Sequence, residues 1–364
     1  MSAPTHLIDE VSQRLESFAA DRRRDVAELG VEARGFVEAG LDALRGGKRL
    51  RARFLHTGWR AVAEAGGATP GLSASVIAAA SSLEVFHAAA LVHDDIIDNS
   101  DTRRGRPAAH RALEAWHREA GWRGDPAAFG RSGAVLLGDL LLGWSDDLLE
   151  EGLVDVDPGR AGAAREVYAR MRRDVTVGQF LDVAEESAWA TEPDDRHAAR
   201  ALRVATYKSA RYSVQQPLLL GAALAGADAV QTAVLAAFGE PLGLAFQLRD
   251  DVLGVFGDSA VTGKPAGDDL REGKRTVLVA LTRDALPAPG RRVIDELLGD
   301  PTLDADQIAM LQRTIADSGA LARVEDMIAG YVREAARSLS GARLGNAAVG
   351  ELRDLAEAAT VRTA

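Results

Sequence analysis

Three aspartates, Asp94, Asp95 and Asp98, sit on an apolar segment in LVHDDIIDNSDTRRGR (Leu91 to Arg106), and three arginines follow within a few residues. On a helix Asp94 and Asp98 lie one turn apart on one face, where two carboxylates repel unless a cation sits between them. Mg²⁺ suits such a place, because it takes a few carboxylate oxygens, keeps several waters and draws its remaining ligands from a phosphate substrate. A solvated acidic helix end has the same pattern. A second cluster shifts the balance. In AFQLRDDVLGVFGD, Asp250 and Asp251 close another long apolar segment, and the Gly-rich stretch SAVTGKPAGDDLREGK follows. Two apolar helices, each ending in paired aspartates, are expected to face one another across a bundle cavity.

The basic residues are then intelligible. Arg103 and Arg104 follow the first cluster, Lys264 and Lys274 follow the second, and GGKRLRARF supplies Lys48, Arg49 and Arg51. Guanidinium and ammonium groups collected beside metal-holding carboxylates suit a polyanion bridged to the metal, above all a diphosphate. Taken singly, each basic cluster reads more readily as solvated surface, and Gly46-Gly47 equally as a helix stop. Their co-occurrence in a chain of formal net charge -11 favours the functional reading.

The elements that must position these groups are helical. Ala, Leu, Arg and Glu dominate, apolar residues recur at spacings of three and four, and alternating β-branched runs are scarce, so the fold class is all-α. Helices are expected over much of 5–27, 30–45, 49–66, 73–98, 107–121, 127–152, 158–187, 193–226, 228–257 and 274–285, with shorter pieces to about 360. Several are apolar nearly all round, as in SVIAAASSLEVFHAAALV, which places them inside a helical bundle. No linker or repeat interrupts the pattern, and one domain is expected over 1–364.

Composition narrows the partners. At 364 residues and 47% hydrophobic content the chain can bury a substantial core. Its acidity argues against a general nucleic-acid binder. The absence of cysteine excludes disulfides and thiolate chemistry and makes a reducing cytoplasm the default compartment. No secretory signal and no integral membrane segment are read from the sequence.

The order of GGKRLR at 46–51, LEVFH at 83–87, DDIIDNSDTRRG at 94–105, GQFLD at 178–182, YKSA at 207–210, FQLRDD at 246–251 and GKPAGDDLREGKRT at 263–276 resembles that of the trans-prenyl diphosphate synthases, the farnesyl and geranylgeranyl diphosphate synthase type. The resemblance implies an isoprenoid-synthase bundle around a central cavity and a homodimer. It also implies Mg²⁺, three ions to a site, and head-to-tail condensation of isopentenyl diphosphate onto an allylic diphosphate. Carried over by position, Asp94, Asp98 and Asp250 resemble the metal ligands, with Gln179, Asp182 and Asp251 as outer-shell groups. Arg103, Lys208, Lys264 and Lys274 would bind the allylic diphosphate; Lys48, Arg51, His87 and Arg104 would hold that of isopentenyl diphosphate. Without the resemblance, His87 reads as a core histidine and Lys208 as a helix-surface lysine.

The chemistry would then segregate charge from apolar surface. Cations neutralise the diphosphate as the C–O bond breaks, and the allylic carbocation is kept from water, with Ser209 and Gln247 offering dipoles that do not attack it. No side chain presents itself as the base for the final proton, a role the resemblance gives to the departed diphosphate. The family's third aspartate in the second cluster is here Gly254, and the proline common after GGKRLR is Ala52. Farnesyl synthases carry a bulky aromatic where this chain has Ala89 and Ala90, which leaves Phe86, about 12 Å of helical rise below Asp94, to close the tunnel. A C20 product, geranylgeranyl diphosphate, is expected, with C15 as the alternative. A terpene cyclase and a non-catalytic synthase subunit are the remaining readings.

Overall fold

A computed structural model describes residues 3–68, 71–257 and 267–361. The chain groups into two compact units. One combines Met1–His56 with Thr69–Gly162, the other Thr57–Ala68 with Ala163–Ala364.

The first unit holds α1 (Ala3–Asp25), α2 (Val31–Ala43), the start of α3 (Leu50–Ala65), α4 (Ala74–Ile97), α5 (Ala109–Glu119) and α6 (Pro126–Leu153). Helix α4 starts because the Ser73 hydroxyl accepts from the Val76 amide at 3.3 Å. It stops because Asn99 turns left-handed at φ 51°. The Ser100 and Asn99 amides then reach back to the carbonyls of Asp95 and Ile96, a Schellman closure. Between those signals the helix is buried almost continuously from Val76 to Ala89, and it runs antiparallel to α6. Ser145 Oγ donates to the Ser82 carbonyl at 2.6 Å, and Gly152 brings α6 so near Ser75 that a Cβ there would lie 2.9 Å from its carbonyl oxygen.

The DTRRGRP stretch forms one element that helical patterning does not foresee. Thr102–Arg103 and Arg106–Pro107 pair as a minimal antiparallel hairpin. Its two turn residues, Arg104 and Gly105, have φ of 53° and 71°, the sign a tight two-residue turn needs. The turn aims Arg103 and Arg104 back toward the end of α4. The all-α class stands, with these two short strands as the sheet content among the described residues.

In the second unit α7 (Pro158–Ala188) and α10 (Ala229–Phe256) flank the segment expected as one helix over 193–226. That segment is a 3₁₀ turn, then α8 (His197–Val204), an eleven-residue π-helix (Ala205–Gln215) and α9 (Gln216–Ala225). The π stretch carries Lys208 and Ser209. It lies where two glycines bring neighbouring backbones close: a Cβ on Gly178 would fall 2.3 Å from Lys208 N, and one on Gly243 2.4 Å from the Ala210 carbonyl oxygen. Wider π geometry at a functional position is a recurrent device for re-aiming side chains. Below, Leu248, Val252 and Val255 of α10 share a core with Leu270, Leu278, Leu311 and Val324. This gives the C-terminal third, which holds no motif, its task of supporting α10.

Gly178→Ala is expected to cost about 2–3 kcal/mol, because backbone meets backbone and neither side can yield cheaply. Chemical denaturation of the variant against wild type measures it, and an unchanged midpoint would remove the close contact as the reason for glycine at 178.

By length and apolar composition two helices could cross a membrane, Ala74–Ile97 and Ala229–Phe256, although 72% and 50% of their most apolar windows are buried. Core helices of a bundle pass the same compositional test.

Candidate active site

At the C-terminal end of α4, Asp94 and Asp98 are one turn apart, with the Asp98 amide bonded to the Asp94 carbonyl at 2.8 Å. Both side chains are partly buried. Asp95, on the next face, is 2% exposed. Arg103 Nε donates to its Oδ1 at 2.8 Å, with a second contact from Nη2, and the same guanidinium stands 3.7 Å from Asp94 Oδ2. Burial raises the Asp95 carboxyl above its ordinary range against the pull of Arg103. Arg103 is therefore already the partner of the first acidic cluster, in addition to its expected role toward a diphosphate.

Around His87, one helical turn before Leu91, the charge reverses. Its imidazole is pushed well below the ordinary histidine range by burial and then by Arg51, Arg104, Arg103 and Arg49. Both causes favour the neutral imidazole. The Arg104 guanidinium rests on Gly47, where a Cβ would come within 3.1 Å of Nη2, and it donates to the Arg45 carbonyl at 3.2 Å. Burial, followed by its neighbour Arg49, lowers the pKa of Arg104 itself. Four guanidiniums that act on one imidazole, in a chain of net charge -11, make a local concentration of positive charge. Arg51 and Arg104 thus meet His87 as the sequence reading expects, while Lys48 is exposed on the adjoining loop.

Arg49 was named only as one basic residue among several, and Glu84 was not singled out at all. Arg49 has φ of 48° and is 9% exposed. It donates to the Leu44 carbonyl at 2.9 Å and stands 3.5 Å from Glu84. Glu84, buried in α4, accepts from the Ala52 amide in the first turn of α3 at 3.2 Å, where a carboxylate also suits the helix dipole. This strut fixes the loop bearing Lys48 and the helix bearing Arg51. The available signal was an acid, Glu84, inside an otherwise apolar run.

In the second unit, Asp250 is exposed and Asp251 is 7% exposed. The Gln247 amide nitrogen donates to Asp251 Oδ1 at 2.7 Å, which leaves the Gln247 carbonyl oxygen as the end that could face positive charge. Burial, then the charges of Asp269 and Asp250, push Asp251 up to about 8. Because this folded value lies above the unfolded one, the group's contribution to stability is present at low pH and is lost as pH rises from about 4 toward 8. Asp182 receives Lys208 Nζ at 2.5 Å, so these two residues, expected in separate roles, are directly paired. Gln179 precedes them by one turn on α7, and Ser209 follows on the π segment, both partly buried. Lys274 Nζ lies 2.8 Å from Glu272. Lys264 lies outside the described residues.

Both acidic clusters offer only oxygen donors, as Mg²⁺ prefers, and the charges of Asp269 and Asp250, which add to burial in raising Asp251, are what a divalent cation would offset. Among the described residues no three acidic or imidazole side chains already form a cage. That is compatible with an ion which takes one or two carboxylates and otherwise relies on water and phosphate. Phe86 is 3% exposed, Ala89 fully buried and Ala90 partly buried on α4.

The sequence model of the family described as polyprenyl synthetase matches residues 36–315. A geranylgeranyl diphosphate synthase from Methanosarcina mazei is 30% identical over 339 residues, 92% of this chain and 91% of its own length. A geranylfarnesyl diphosphate synthase from Aeropyrum pernix is 32% identical over 268 residues, 73% of this chain and 76% of its own. The crystal structure of geranylgeranyl pyrophosphate synthase from Corynebacterium glutamicum, complexed with isoprenyl diphosphate and magnesium, shares the fold with a TM-score of 0.89 at 37% identity, covering 99% of this chain and 98% of that one. Fold and site together define the class, enzymes that transfer prenyl groups on an all-α scaffold. The chain belongs to the polyprenyl synthetase family.

Proposed function

We propose that the protein is a short-chain prenyltransferase that condenses isopentenyl diphosphate head-to-tail with allylic diphosphates, releasing mainly geranylgeranyl diphosphate, with farnesyl diphosphate as the alternative product. The observation that carries this reading is the gathering of arginines around His87 beside the aspartates of α4, with Arg103 on Asp95 and Arg104 on Gly47. A prenyl transfer between two diphosphates needs a second anion seat next to the metal-binding acids, and a terpene cyclase does not.

Asp94, Asp98 and Asp250 would hold Mg²⁺, three ions to a site, and Asp251, Gln179 and the Lys208-paired Asp182 would orient the water on it. The magnesium in the Corynebacterium relative supports the choice of ion. Bound Mg²⁺ supplies the charge that lets the allylic diphosphate leave. Arg103, Lys208, Lys264 and Lys274 bind that leaving group. Lys48, Arg51, His87 and Arg104 anchor isopentenyl diphosphate so that its double bond meets the electrophilic carbon. Ser209 and the Gln247 carbonyl oxygen direct dipoles at the cation without attacking it, and the apolar wall excludes water. The proton lost at the end goes to the departed diphosphate.

We read the chain as one synthase domain that works as a cytoplasmic homodimer. The exposed Val135 and Leu136 on α6, 45% and 61% accessible, support a protein partner for that helix.

Purified protein supplied with isopentenyl diphosphate and, in turn, dimethylallyl, geranyl and farnesyl diphosphate, with and without Mg²⁺, tests the reading by chain-length analysis. Mg²⁺-dependent C20 is expected. Mainly C15 would keep the reaction and reject the product assignment; no condensation at all would reject the synthase.

A further inference from the structure

Arg211 follows YKSA directly on the π segment and reaches both flanking helices. Its Nε donates to Glu240 Oε2 on α10 at 2.7 Å, and its Nη1 stands 3.7 Å from Asp174 Oδ2 on α7. The same guanidinium lies over the Tyr207 ring, 4.5 Å from the centroid. Tyr207 is the chain neighbour of Lys208.

These contacts fall into matching columns. Asp174, Gly178 and Asp182 are spaced by four on α7 and so share a face. In that order they meet the Arg211 guanidinium, the Lys208 amide and the Lys208 ammonium; the amide lies 2.3 Å from where a Cβ on Gly178 would sit. On α10 the order is Gly239, Glu240 and Gly243. A Cβ on Gly239 would fall 2.7 Å from Gln215 Cα, Glu240 takes Arg211 together with the Gln215 amide nitrogen at 3.3 Å, and Gly243 admits the Ala210 carbonyl. The glycines decide how near the π segment comes to its neighbours. Clearance alone does not fix its rotation or its slide along them, and directed bonds from Arg211 do. Arg211 and Glu240 keep 27% and 33% of their side-chain surface exposed, and a pair this open adds little to stability. Its use is geometric, because a planar guanidinium held between two carboxylates and a ring has one orientation.

We infer that Arg211 is a positioning residue: through Glu240 and Asp174 it fixes the π segment against α10 and α7, and so holds the Lys208 ammonium where it meets the allylic diphosphate. The inference rests on the reading of Lys208 as a ligand of that diphosphate, and assigns the group that keeps it in place.

The test compares wild type with Arg211→Met, Arg211→Lys, Lys208→Ala and the double variant Arg211→Met/Lys208→Ala. Steady-state constants are measured for geranyl and isopentenyl diphosphates, and hydrogen exchange follows the amides of 205–215. Arg211→Met should raise the KM for geranyl diphosphate about tenfold, the weight of one charge-assisted hydrogen bond. It should leave the KM for isopentenyl diphosphate unchanged and speed exchange across 205–215. Arg211→Lys, which keeps the charge but not the fork, should recover part of the loss. In the Lys208→Ala background the Met substitution should add less than about twofold, since the group it positions has gone. A geranyl diphosphate KM that stays at the wild-type value in Arg211→Met overturns the inference. So does a loss of equal size with and without Lys208, or one shared by both substrates, either of which makes Arg211 a contact of the fold alone. If Arg211→Met fails to fold, Glu240→Gln takes its place in the same cycle. Absence of condensation by wild type would remove the synthase reading, and hydrogen exchange then decides for the Arg211 tie: unchanged exchange over 205–215 overturns it, and faster exchange keeps it.

Discussion

Asp94→Ala is expected to lower turnover about a thousandfold or more while leaving the thermal midpoint near that of wild type, and Asp250→Ala should behave alike. Losing a metal ligand forfeits several kcal/mol of leaving-group stabilisation, and about 4 kcal/mol corresponds to three decades of rate. The argument that the fold survives is electrostatic. Asp94 is one of the groups that raise the Asp95 carboxyl, whereas the strong attachment of Asp95 is to Arg103. Removing Asp94 therefore relieves a repulsion and leaves the pair intact. Asp250 is exposed, and its charge helps push Asp251 up to about 8, so its removal lets Asp251 ionise more easily. Steady-state turnover together with a thermal melt checks both statements. A variant that keeps most of its activity would remove Asp94 or Asp250 from the metal, and one that loses its fold would show that burial, not catalysis, fixed the residue.

Much of this was legible in the sequence because it depends on local chemistry. An apolar run with a serine before it and a polar turn after it announces a helix, and α4 starts and stops within a residue or two of the expected 73–98. The basic run at 46–51 and the arginines after the first acidic cluster were readable as concentrated positive charge, and Arg49, Arg51, Arg103 and Arg104 do act together on His87. What escaped reading depends on contacts between segments far apart in the chain. The long helix expected over 193–226 breaks into a π stretch where Gly178 and Gly243 approach it, and nothing within YKSA encodes that approach. Arg49 looked like one basic residue among several, because its value lies in a left-handed turn and a bond to Glu84. Electrostatic pairing also joined roles that motif reading kept separate, as in Lys208 with Asp182.

Phe86→Ala is expected to move the main product beyond C20, and Ala90→Phe to cut it to C15. Both follow from the geometry of α4. At about 100° per residue, Ala90 lies roughly 40° and Phe86 roughly 80° around the helix from Asp94, at about 6 Å and 12 Å of rise below it. These two side chains thus follow one another down the helix from Asp94. Ala89 lies about 140° from Asp94 and is fully buried, so a phenylalanine there would meet packed core, and Ala90 is the position at which to raise the floor. The near-complete burial of Phe86 gives the test its force. If the ring were only core packing, its truncation would cost about 3–5 kcal/mol of stability and leave chain length alone. If it closes the tunnel, the lost volume is filled by product, and the distribution shifts while the folded enzyme continues to turn over. Chain-length analysis of Phe86→Ala beside a denaturant midpoint separates the two: longer prenyl chains establish the floor, whereas an unchanged distribution with a lowered midpoint assigns Phe86 to the core and requires the chain-length limit to be sought on another helix.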